Sequence, residues 1–213
     1  MKTAAIIAAR MGSTRFPGKV LADLNGKPVL QHVIERCKAS NVDEVIVAIA
    51  CSEADKVLGH WLVEQPVGRY VRHDENDVLS RVLGAAEAND VDVVLRVNSD
   101  CPLVEPERIN ELLEYHQAGS GLLDYVGFLL GEELPAVQTH VGLPELVTTD
   151  ALRGLQGYAD DIKEHVTLGC YAVWEVASEW IHLDESRQDE ENTIDTPEDL
   201  ERIACRLKSM AAR

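Results

Sequence analysis

No stretch of this sequence reaches the roughly eighteen consecutive apolar residues that a membrane-crossing helix needs, so no membrane span is expected. The apolar run at residues 4–9 is too short for a signal peptide and is followed at once by Arg10, which places the expected location in the cytoplasm. Basic residues are also scarce: 20 Lys and Arg stand against 37 Asp and Glu, a formal charge of −17. That charge repels nucleic acid and anionic membrane surfaces at long range and argues against either as a partner. A small phosphorylated ligand is still compatible, because clustered cations, backbone N–H groups and a divalent metal can reverse the field inside one cleft. The five cysteines contain no C-x-x-C pair and are odd in number, so neither a disulfide framework nor a zinc site is indicated, and reduced, buried thiols are expected. Internal repeats and low-complexity tracts are lacking as well.

What is present suits one well-filled core: 213 residues, 46% of them hydrophobic. Short β-type runs at 3–9, 44–50, 69–72 and 91–97 alternate with helical patterns at 29–39, 53–63 and 78–88. Alternation of this kind predicts βαβ crossovers, and hence an α/β fold with a mostly parallel sheet and helices on both faces. Residues 4–9 are apolar throughout, as a central strand would be. Ser52 is the expected cap of the helix at 53–63, and the segment from Asp74 to Asp77 gives the next one an acidic entrance. Beyond residue 117 the pattern loosens. Gly119, Gly121, Gly127 and Gly131 read as turns around short strands, and residues 119–160 as a substrate-side subregion of a single domain spanning 1–213. Residues 168–183 look strand-rich. Residues 196–207 look helical, with Thr196 as cap and Pro197 at the first helical position.

In open α/β sheets ligands sit beyond the carboxyl ends of the strands, which singles out residues 10–19, 73–77 and 98–102. The first of these combines Gly12 and Gly18 with Ser13 and three cations, Arg10, Arg15 and Lys19. Glycine permits close backbone approach, and three fixed positive charges suit a triphosphate. A dinucleotide loop is excluded because G-x-G-x-x-G is missing. A Walker loop is excluded because Gly12 and Gly18 are six apart and Val20 follows Lys19.

The segment Ala8-Ala9-Arg10-x-Gly12-Ser13-x-Arg15-x-Pro17-Gly18-Lys19 resembles the opening motif of sugar nucleotidyltransferases, in the form carried by the acylneuraminate cytidylyltransferase family. Within that family the chain is most similar to the cytidylyltransferase-like proteins of spore-coat polysaccharide synthesis. The resemblance implies a nucleotide-diphospho-sugar transferase-like, Rossmann-type architecture. It also implies that the backbone of Ala8 and Ala9 lines a cytosine pocket, that Arg10, Arg15 and Lys19 hold the triphosphate, and that Gly12 and Ser13 belong to the same nucleotide loop. The segment from Asp74 to Arg81 matches a family turn over the nucleotide, with Asp77 as helix cap or ligand contact.

Phosphoryl chemistry on a nucleoside triphosphate calls for Mg²⁺ held by a few carboxylates and by phosphate oxygens. The resemblance assigns the metal to Asp100, in Asn98-Ser-Asp100-Cys-Pro102, and to Asp195, in Asp195-Thr-Pro-Glu-Asp-Leu200; Asn98 falls beside base or ribose. Asp195 also reads as an ordinary acidic helix opening. Glu164 and His165 resemble an element near the acceptor sugar, and Glu145 falls in the acceptor segment. That segment departs from the family: around Val141-Gly-Leu-Pro144-Glu145, Pro144 stands near the place of an expected Asp. The implied reaction is displacement at the α-phosphorus of CTP by a hydroxyl of an acidic or unusual sugar, with Arg10 and Lys19 offsetting charge on the departing pyrophosphate and a homodimer as the implied assembly. Another base or acceptor, and a silent nucleotide-binding relative acting as a scaffold, stay open as alternatives.

Overall fold

A computed structural model describes residues 1–71, 76–119, 121–130, 134–135, 142–156, 178–183 and 191–211. In chain order the elements are β1 (Thr3–Ala9), a 3₁₀ turn (Lys19–Leu21), β2 (Asp23–Leu24), β3 (Lys27–Pro28), α1 (Val29–Lys38), β4 (Glu44–Ile49), α2 (Lys56–Val63), β5 (Gly68–Val71), α3 (Val78–Ala88), β6 (Val93–Asn98) and α4 (Pro106–Ala118). They continue with β7 (Tyr125–Leu130), β8 (Leu134–Pro135), β9 (Glu145–Thr148), α5 (Thr149–Leu155), β10 (Ser178–Leu183) and α6 (Pro197–Ala211).

Among the described residues the main sheet has eight strands in the order β10-β7-β9-β6-β1-β4-β5, with β8 on the edge of β7. Strands β6, β1, β4 and β5 run parallel, as the βαβ alternation predicts. β1 is central because every side chain from Ala4 to Ile7 is buried, and so is Ala9. Its alternation separates two layers. Ala5, Ile7 and Ala9 face a core with Leu30 and Val33 of α1, Leu58 and Leu62 of α2, and Ile109 and Leu112 of α4. Ala4 and Ile6 face the opposite core with Leu79, Val82 and Leu83 of α3 and Leu152 of α5. A third, smaller cluster joins Leu24, Val29 and Leu103 to Ile194 and Ile203, so α6 packs beside the segment that follows β1.

Several expectations shift. The helix anticipated at 53–63 begins at Lys56, because Ser52 donates from its N–H and its hydroxyl to Asp55 and forms a turn first. The described part of 119–160 contributes to the main sheet: β9 lies antiparallel between β6 and β7, and α5 follows it directly. Gly127 is not a turn residue but sits within β7, where an added Cβ would come 2.6 Å from Trp180 and 2.7 Å from the Tyr125 hydroxyl. Strand β10 covers the end of the strand-rich region, whose residues 168–177, like Gly131, lie outside the described set. Cys37 and Cys101 are buried and free, with burial pushing the Cys37 thiol up to about 12, but Cys51 and Cys205 are exposed; Cys170 lies outside the described residues. No helix among the described residues is long and apolar enough to cross a membrane.

Candidate functional site

The carboxyl ends of β1 and β6 are adjacent, with Ala8 paired to Asn98. Beyond β1 the chain turns through residues 10–18 and closes on itself. The carbonyl of Met11 accepts the N–H groups of Ser13 at 3.0 Å and Gly18 at 2.9 Å. Gly18 takes φ 76°, a left-handed conformation that favours glycine, and there it opens the 3₁₀ turn that starts with Lys19. The loop geometry therefore fixes where Lys19 leaves the backbone.

The Lys19 side chain is nearly buried and ends among three acceptors. Its Nζ lies 2.6 Å from Asp100 Oδ2, 2.7 Å from the Ile194 carbonyl and 3.0 Å from Asp195 Oδ1. Arg15 adds a contact of 2.9 Å to Asp195 from a largely exposed position. Burial alone would pull the Lys19 ammonium down, but the charges and hydrogen bonds of Asp100 and Asp195 outweigh it and hold the group above its ordinary value. Asp100 leaves the end of β6 by a turn in which Cys101 N–H donates to the Asn98 carbonyl. The stretch before α6 is tied to Asp100 through Ile194 N–H at 2.9 Å from its carbonyl.

Asp195 is placed by the start of α6. Thr196 Oγ1 accepts from Asp199 N–H at 3.2 Å, and Asp199 Oδ2 in turn accepts from the N–H groups of Thr196 and Asp195, both at 2.9 Å. That reciprocal box makes Thr196 the cap, as its place before Pro197 predicts. Asp199, which holds the Asp195 N–H, is a neighbour of the site that sequence reasoning missed. Its signal was the Thr-Pro-Glu-Asp pattern itself, with an acidic residue three positions after the cap.

Of the remaining candidates, Arg10 donates to Asn76 at 3.2 Å, which carries it toward the start of α3. Asp77 caps that helix, accepting from Ser80 N–H at 2.8 Å. Ser13 accepts from Phe16 N–H within the loop. Asn98 is exposed at the strand end beside Ala8. Glu145 is a correction. It is only 1% exposed, ion-paired with Arg96 across the β6–β9 register and accepts the Tyr125 hydroxyl at 3.0 Å, so it ties three strands together from inside the sheet. Burial would lower Arg96, but the Glu145 charge more than offsets it and keeps the guanidinium protonated. Pro144 precedes this pair and is itself buried. Glu164 and His165 lie outside the described residues.

Among the described residues no group of three or more His, Cys, Asp or Glu gathers, so the protein's own hard donors at this edge are the two carboxylates that meet at Lys19. Such a pair fits Mg²⁺, which typically takes one or two carboxylates and leaves its other positions to phosphate oxygens and water. That an internal ammonium settles between them marks the point as one that draws a cation.

A cation-bearing loop and two carboxylates at the carboxyl edge of a mostly parallel sheet have the build of a nucleotidyltransferase. A family model described as cytidylyltransferase matches residues 4–131, and the chain belongs to the cytidylyltransferase family. The match is to cytidylyltransferases and does not single out the acylneuraminate family that the motifs resemble. The spore coat polysaccharide biosynthesis protein SpsF of Bacillus subtilis is 32% identical over 169 residues, covering 76% of this chain and 67% of its own. The 3-deoxy-manno-octulosonate cytidylyltransferase of Trichlorobacter lovleyi is 39% identical over 123 residues, 57% of this chain. The matched segments cover about half of such cytidylyltransferases, 48% and 44% of two of them. A cytidylyltransferase structure from Leptospira borgpetersenii superposes with a TM-score of 0.82 at 25% identity, over 96% of this chain and 85% of that one. A CMP:2-keto-3-deoxy-manno-octonic acid synthetase complexed with CTP superposes at 0.78 and 18% identity, over 99% and 100%, a likeness of fold.

Proposed function

We propose that the protein transfers CMP from CTP to a hydroxyl of an acidic sugar, with release of pyrophosphate. The sugar oxygen attacks the α-phosphorus, the bond to the bridging oxygen of the β-phosphate breaks, and the hydroxyl proton leaves to solvent. What carries the reading is the convergence of Lys19, Asp100 and Asp195 beside a loop that also bears Arg10 and Arg15. Chemistry of this kind depends on positioning and charge neutralisation, with little covalent work for the protein.

The backbone of Ala8 and Ala9 and the Asn98 side chain form the nucleoside side of the site. Arg10, Arg15 and Lys19 receive the phosphates, and Lys19 and Arg10 offset the charge that builds on the departing pyrophosphate. Asp100 and Asp195 would hold Mg²⁺, which when bound neutralises phosphate charge. The sugar-acid acceptor is supported by the names of relatives that act on 3-deoxy-manno-octulosonate, and a polysaccharide role by SpsF. Calorimetric titration of CTP, UTP, GTP and ATP with and without Mg²⁺, followed by pyrophosphate release over a panel of sugar acids, tests the reading. Selective, metal-strengthened CTP binding with turnover on a sugar acid supports it. Equal weak binding of all four nucleotides sinks it.

A further inference from the structure

Asp55 stands at the N-cap position of α2 and is 2% exposed, yet its carboxylate makes no capping bond to that helix. It is directed across to the nucleotide loop instead. Oδ1 accepts the Met11 N–H at 2.7 Å, while Oδ2 accepts the Ser52 N–H at 3.1 Å and the Ser52 hydroxyl at 2.6 Å. A buried carboxylate is costly unless its lone pairs are satisfied, and these three N–H and O–H donors satisfy it. Met11 is the residue on which the loop closes, since its carbonyl receives both Ser13 and Gly18. Gly18 in turn sets the departure of Lys19. A single line of bonds thus runs from the start of α2 through Met11 to the base of the lysine.

We propose that Asp55 is a positioning residue for the phosphates of the nucleotide: it anchors the β1 loop at Met11 and so holds Arg10 and Lys19 at fixed places on either side of that anchor. The inference rests on the reading above that this loop binds a nucleotide. A carboxylate that served α2 alone would bond the helix's own free N–H groups, the usual role at that position; here the bonds go to Ser52 before the helix and to the loop.

The test compares wild type, Asp55→Ala and the near-isosteric Asp55→Asn by amide exchange in the ligand-free protein and by titration with CTP and CMP in Mg²⁺. Asp55→Ala is expected to speed exchange at Met11 and to lower the preference for CTP over CMP by about tenfold, the worth of one charge-assisted hydrogen bond at ~1.4 kcal/mol per decade. Affinity for CMP should move little, whereas general structural damage would weaken both nucleotides alike. Asp55→Asn keeps one oxygen for Met11 and should restore most of the preference, and it serves as the working variant where the alanine protein does not fold. Unchanged Met11 exchange, or an unchanged CTP-over-CMP preference in Asp55→Ala, overturns the proposal. If the wild type itself binds no nucleotide selectively, the functional reading fails, and the exchange rates alone then judge the anchor.

Discussion

Asp195 and Lys19, 176 positions apart in the chain, meet at 3.0 Å, with Asp100 completing the contact from the end of β6. Two carboxylates brought this close repel unless a cation stands between them. Here that cation is the lysine, with its ammonium shared between the two carboxylates.

Replacing Asp100 by Asn should cut pyrophosphate release on the order of a hundredfold or more, the scale of losing one preorganised electrostatic group. The fold should survive, because the Asp100 carbonyl still accepts Ile194 N–H. Circular dichroism checks the fold, and near-normal turnover would remove Asp100 from the site.

Lys19→Met leaves two facing carboxylates without their ammonium. We expect a stability loss of about 3 kcal/mol in urea titration, the scale of breaking a buried pair from one side. The sign with pH follows from the raised lysine: its stabilisation is complete below the unfolded value of 10.5 and disappears as pH climbs through the still higher folded value. The wild type should therefore lose stability in that alkaline window, and the methionine variant should not show this loss.

Asp199 gives the opposite sign. Burial would raise it, but the Arg202 hydrogen bond and the N–H groups of Asp195 and Thr196 hold it down at about 2. Its contribution is present above the unfolded value of 3.8 and is lost as pH falls through about 2. Asp199→Ala should remove that acid dependence from thermal melts and, by releasing Asp195 N–H, should also reduce turnover.

Glu145→Ala tests a residue that the motif reading assigned to the acceptor. Removing the carboxylate paired with Arg96 inside the sheet should cost about 3 kcal/mol in denaturant titration. A melting curve equal to that of the wild type would return Glu145 to the site. In the same sheet, Gly127→Ala should destabilise by roughly 1–3 kcal/mol through overpacking against Trp180 and Tyr125, with a change in Trp fluorescence as the local readout.

These residues also show where reading a sequence reaches its limit. The strand Thr3–Ala9 was legible because an unbroken apolar run has one good use in an α/β chain, and the cations at 10, 15 and 19 follow it directly. Strand β9 was not legible: four residues that begin with Glu145 after Pro144 look like an exposed connection, and the partners that make that glutamate an interior residue, Arg96 and Tyr125, come from β6 and β7. Gly127 looked like a turn because its missing side chain answers a ring from β10, far along the chain. Asp55 was hidden behind Ser52, which has the better local claim to the cap, and its true partner is 44 positions upstream.

The apolar cluster beneath Lys19 and Asp195 is small, formed by Leu24, Val29, Leu103, Ile194 and Ile203, and it is distinct from the two cores that clasp the sheet. Loss of so few contacts releases α6 and with it Asp195, while the strands stay paired. Inactivation under rising denaturant should accordingly come before unfolding: turnover should fade while the far-ultraviolet spectrum still reports an intact sheet, and gentle dilution should restore it without refolding of the whole chain.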